Sequence, residues 1–174
     1  MYRFLLDEHM KPFPGLPLDL FGFEIVRLGD FDRSFVNTAT PDWILYLAAA
    51  ARGFTGLITH DKSQVTQENE VRSLELTGIA VVTYHKGVND ELTKWGLLMA
   101  HSPRIVAALK RPERGAFVLP TPGPVKVSPP GALLRQIEAR EKVGSQEVRG
   151  RADVAIKNEL SRRRLSHLWP ESKK

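Results

Sequence analysis

The chain has no cysteine among its 174 residues. That absence excludes disulfides and thiolate-bound centres, so any metal must be held by oxygen or imidazole ligands, and a reducing cytoplasm is the expected setting. Long apolar runs are missing too. Nothing approaches the roughly 20 consecutive apolar residues of a membrane-spanning helix, and the N-terminus lacks the basic-then-apolar pattern of a secretory signal. The histidines (His9, His60, His85, His101 and His167) never fall at the His-Glu-x-x-His spacing of a helical zinc site. Aromatic residues are few, at 8%. Trp43, Trp95 and Trp169 fit apolar helical faces, as core or docking residues rather than platforms for bases. There is no internal repeat.

What is present is enough for one core, with 42% hydrophobic residues, and the length suits one domain plus an appendage. A soluble cytoplasmic protein is expected, with no membrane partner. The net charge of +5 is unevenly spread: residues 1–102 carry a net −4 and residues 103–174 a net +9. An acidic body with a basic tail points to nucleic acid, to an acidic protein, or to a solvated basic helix.

Apolar runs at 2–6, 23–28, 56–59, 79–84 and 116–119 read as five short strands, mostly without polar alternation, as buried parallel strands are. Helical periodicity covers 41–52, 64–76 and 90–110. The alternation predicts a three-layer α/β/α sandwich on a short, mainly parallel five-stranded sheet. Thr40 and Pro41 mark a helix start, and Gly78 a helix end. The division expected is a domain over 1–120, a Pro/Gly-rich linker over 121–131 (TPGPVKVSPPG) and a basic helical tail over 132–174. The tail's sparse apolar positions require it to dock on the body, a second copy or a partner.

Acids recur where strands end and helices begin, which in a parallel sheet is one edge. Asp7 and Glu8 follow the first strand, Asp42 starts a helix, Asp61 follows the third strand, and Asp90 opens the helix after the fourth. Converging carboxylates repel unless a hard cation such as Mg²⁺ or Mn²⁺ joins them. The chemistry they suggest is metal-assisted phosphodiester hydrolysis. Asp42 and Asp90 also have a structural reason to be acidic, in the first turn of a helix; Asp7 and Asp61 have none. Strand alternation turns Glu8 away from Asp7, which leaves it a supporting ligand. His60, Lys62 and Arg52 are candidates for touching substrate, as is Lys86 for a phosphate.

The order Phe4-Leu5-Leu6-Asp7-Glu8, Thr40-Pro41-Asp42 heading Trp43 to Ala51, and Leu57-Ile58-Thr59-His60-Asp61-Lys62 resembles the short PIN-like group of domains, over residues 1–120. The resemblance implies a Mg²⁺- or Mn²⁺-dependent ribonuclease, often the toxin of a toxin–antitoxin pair. Asp7, Asp42 and Asp61 would be its metal-binding catalytic acids, RNA its substrate, and an antitoxin protein or a second copy of the chain its partners. Ser63 departs from the group, which often has a further Asp there; Glu68 or Glu70 could compensate. Two other readings stand beside this one. A phosphorylation-receiver module would use Asp61 as acceptor, with Thr83 and Lys110 in support. A catalytically silent PIN-like scaffold would bind RNA or protein through the basic tail.

Overall fold

Apolar, β-branched and aromatic runs form the strands, and the pleat sends alternate side chains into two separate cores. The computed structural model describes residues 1–11, 22–36, 40–61, 65–111, 114–120 and 123–170. The strands are β1 (Tyr2–Leu6), β2 (Phe23–Arg27), β3 (Gly56–Ile58), β4 (Ala80–Tyr84), β5 (Ala116–Leu119) and β6 (Lys126–Ser128). The helices are α1 (Leu28–Phe31), α2 (Asp42–Ala51), α3 (Glu68–Thr77), α4 (Glu91–Leu109), α5 (Pro130–Glu141) and α6 (Ser145–Arg162), with 3-10 turns at Arg33–Phe35 and Ser166–Leu168.

The sheet order is β2-β1-β3-β4-β5-β6. All neighbours pair in parallel except β5 and β6, which are antiparallel. Leu5, Leu57 and Val81 stand in one row and pack with residues of α2, α3, α5 and α6. Leu6, Ile58 and Val82 stand in the next row and pack with Trp95, Leu98, Ile105 and Leu109 of α4. Helices on both faces make the chain an α/β protein with a mixed sheet, an arrangement compatible with three layers. Gly56 is required where β3 crosses Phe4: a Cβ there would lie 2.2 Å from the ring. Gly78 closes α3 in the left-handed region, at φ 66°.

The five-stranded expectation is corrected to six strands. Residues 121–131, read as a linker, contain β6, whose Val127 pairs with Phe117. Three residues among prolines carry no periodicity of their own. The strand exists because the chain returns along the edge of β5, a place where nearby prolines cost no ladder bonds. Helix α5 starts at Pro130, a residue suited to the first helical turn.

The basic tail is integral to the body. Leu133, Leu134, Ile137, Val148, Ile156 and Leu160 belong to the same buried cluster as Leu5 and Leu57, and α5 and α6 both pack on α3. Much of the tail's charge is spent inside the molecule. Arg149 pairs with Glu75 (2.7 Å), Asp153 of α6 pairs with Arg72 (2.7 Å), and Arg151 bridges Glu68 and Glu141. No helix among the described residues is long and apolar enough to cross a membrane.

Candidate functional site

Strand order reverses between β1 and β3: the chain leaves β1 for β2 on one side and returns to β3 on the other. Open α/β sheets offer a crevice at the carboxyl ends of the strands at such a point. Asp7 lies there. Its amide still donates to the Ile58 carbonyl (3.0 Å), extending the ladder one residue beyond β1. Its side chain therefore shares the face of Leu5, and the residue is only 6% exposed.

Thr59 continues β3 in the same way, its amide donating to the Val82 carbonyl at 2.9 Å. The fully buried Thr59 hydroxyl donates to Asp7 Oδ2 at 2.7 Å and accepts from the Asp61 amide at 3.0 Å. A hydroxyl that accepts a backbone N–H has its one proton left for the carboxylate. Thr59 thereby fixes the Asp7 carboxylate and the backbone that carries Asp61.

Asp42 enters from α2, whose first residue it is, after Pro41 in extended conformation. Burial first, and then the charges of Asp7 and Asp61, push its carboxyl up to about 6. Glu8 adds to this and His9 opposes it. Asp7, Glu8, Asp42 and Asp61 all line a cavity of ≈ 160 Å³, in which His9 is the only basic side chain among the described lining residues. Leu28, Leu45 and Phe35 supply the apolar wall. Four carboxylates gathered as hard oxygen donors suit a divalent cation. Among the described residues, no group of three or more such side chains is already drawn together around one point as metal ligands.

The structure thus brings Asp7, Asp42, Asp61 and Glu8 to one cavity. Glu8 is a correction to strand alternation: β1 ends at Leu6, and a turn closed by the Met10 amide on the Asp7 carbonyl (3.0 Å) returns Glu8 and His9 to the mouth. His60 is exposed beside the site, its ring 6.1 Å from that of His9. Lys62 and Ser63 lie outside the described residues. Arg52 is not at this edge. It caps the far end of α2, a helix roughly 15 Å long, where it pairs with Asp32 (2.8 Å) and stacks on Phe31. Asp90 caps α4 by accepting from the Thr93 amide (2.7 Å), and Lys86 is in an exposed turn.

Glu70 and Tyr46 lie under the site. Glu70 is buried and closes a capping box with Gln67. Burial pushes its carboxyl up to about 7; amide bonds from Gln67 and Thr66 oppose the rise, and Asp42 and Asp61 reinforce it. Glu68 points instead to Arg151. Tyr46, one helical turn beyond Asp42, is fully buried, and its hydroxyl is held well above the ordinary phenol range by burial and then by Glu70, Asp42, Asp7 and Asp61. The i, i+4 spacing of Asp42 and Tyr46 was the available signal for the latter. For His9 the signal was its place two residues after Asp7. The chain matches no family model, no curated protein sequence and no solved structure.

Proposed function

We propose that the chain is a divalent-metal-dependent endoribonuclease of PIN-like, three-layer architecture, acting in the cytoplasm as the toxin of a toxin–antitoxin pair. The observation that carries the enzymatic reading is Asp42, a half-buried carboxyl raised to about 6 by burial and by two further acids in a cavity whose described lining has no lysine or arginine. A site that resists holding its own negative charge gains stability from a bound cation. The toxin role, the antitoxin and a second copy of the chain enter through the family resemblance alone.

Asp7, Asp42 and Asp61 would hold the ion, with Glu8 at the rim. Bound Mg²⁺ or Mn²⁺ lowers the pKa of a water and offsets charge on a phosphodiester. The protein's own contribution is orientation. Thr59 holds Asp7 Oδ2 (2.7 Å), and the helix start presents Asp42. Leu28 and Leu45 line the apolar side of the cavity, and low-dielectric walls strengthen the electrostatics inside it. Cleavage of a labelled single-stranded RNA in Mn²⁺, abolished by chelator, tests the reading; RNA left intact in Mn²⁺ would reject it.

One observation favours the receiver reading: the order of the first five strands, β2-β1-β3-β4-β5, is that of receiver modules. Against it, Lys110 caps α4 at the opposite end from Asp90 and does not follow β5, which is followed by Pro120. A stable phosphate-mass adduct on Asp61 after incubation with a small phosphodonor would favour the receiver. For the silent scaffold the support is weaker, because the tail that would bind the partner is packed into the core of the body through α5 and α6.

A further inference from the structure

A pocket of carboxylates repels a polyanion, so a ribonuclease built on it needs cationic groups nearby to hold the strand. A second cavity of ≈ 530 Å³ meets the acidic one: Phe35 and Thr40 line both. Its floor is α2, with Ala48, Ala51 and Arg52. One wall holds Asp32 and Ser34 of the turn after α1, and the other holds Arg163, Leu165, His167 and Leu168 of the C-terminal segment. Thr40 and Arg52 lie at the two ends of α2, so the groove follows that helix from the acidic pocket for roughly 15 Å. The volume is in the range of small-molecule sites.

We infer that this groove is a nucleotide-binding subsite for the RNA strand whose scissile bond enters the acidic pocket, with the C-terminal segment as one of its walls. The choice of ligand rests on the ribonuclease reading. The lining has two chemistries in one space, as a nucleotide does. Phe35, Ala48, Leu165 and Leu168 offer apolar surface to a base and ribose, while Arg52, Arg163 and His167 offer donors to a phosphate. Asp32, the one carboxylate among the described lining residues, is already neutralised by Arg52 at 2.8 Å and accepts from Ser34. Arg163 is bonded to Glu159 through Nε at 2.6 Å. A guanidinium has five N–H donors, so an ion-paired arginine still serves phosphate. The groove also gives the tail a role that its buried leucines alone do not explain.

The test is the affinity of the full-length protein for a fluorescent single-stranded oligoribonucleotide, read by anisotropy in chelator so that no cleavage occurs. Ala51 is exposed on the last turn of α2, so Ala51→Trp fills the groove without breaking an ion pair. The double variant Arg163→Gln/His167→Gln removes the guanidinium charge and the imidazole from the opposite wall. Each is expected to weaken binding at least tenfold, and the double variant also to lessen the slope of log affinity against log salt by about 0.7, for the one arginine it removes. Affinity within twofold of the parent for both variants, at native circular dichroism, would overturn the subsite. Cleavage in Mn²⁺ is scored separately. A parent that cleaves while neither variant loses affinity rejects the groove and leaves the nuclease. A parent that binds through the groove yet leaves RNA intact in Mn²⁺ rejects the nuclease and keeps the groove.

Discussion

Asp42 and Thr59 show how single residues set up the acidic pocket. Since the folded protein raises the Asp42 carboxyl from 3.8 to about 6, the protonated form is the one the fold prefers. Its contribution is fully present below the unfolded value, is lost as pH rises through about 6, and leaves a penalty above that. The full shift corresponds to about 3 kcal/mol, and partial exposure discounts it to about 1 kcal/mol. In chelator, the stability of Asp42→Asn relative to the parent should therefore rise by about 1 kcal/mol between pH 4 and pH 7, measured by urea unfolding. A flat difference would mean that the carboxyl is not strained. Saturating Mn²⁺ should raise the melting temperature of the parent and leave that of the variant nearly unmoved. Thr59→Val keeps the shape but leaves Asp7 without its hydroxyl donor. The expected cost is about 1–2 kcal/mol of stability, with Mn²⁺ affinity lowered in calorimetric titration; unchanged affinity would remove Thr59 from the site.

At the scale of elements, the α3–α6 contact decides whether the tail is body or appendage. Glu75 is drawn up by burial and held down more strongly by Arg149 and Arg72, so its carboxyl stays below the ordinary range. Glu75→Gln leaves two partly buried arginines short of a partner and should cost about 1–2 kcal/mol in denaturant unfolding, less in high salt. No loss at low salt would mean that the ion pairs are ornamental. What was legible in the sequence follows the same division. Asp7, Asp42 and Asp61 could be read because strand ends and helix starts are local features, and one topological rule sends them to a common edge. The six-stranded sheet could not, because β6 exists only through its distant pairing with β5. Arg52 was misplaced because ten helical residues carry the chain to the other edge. Glu8 returns to the cavity through a turn that strand alternation does not describe, and Lys62 and Ser63 are outside the described residues.

For the whole molecule, the C-terminal helices are part of the core, and the acidic pocket is the proposed working site. Six apolar residues of α5 and α6 are buried with the sheet, each worth about 1.5–3 kcal/mol, against a total stability of about 5–15 kcal/mol for a domain. A chain ending after Gly131 should fail to unfold cooperatively. A cooperative transition near that of the full chain would show that the body folds without its tail. Cleavage of RNA by the carboxylate pocket with a divalent ion is put to the test by one comparison: single-turnover cleavage of a single-stranded RNA in Mn²⁺ by the parent and by Asp7→Asn, purified identically and both folded by circular dichroism. The parent should cleave in a metal-dependent way and the variant at a rate at least a hundredfold lower, a loss of about 2.7 kcal/mol or more in transition-state stabilisation; equal rates would rule out the carboxylate pocket as the catalytic centre.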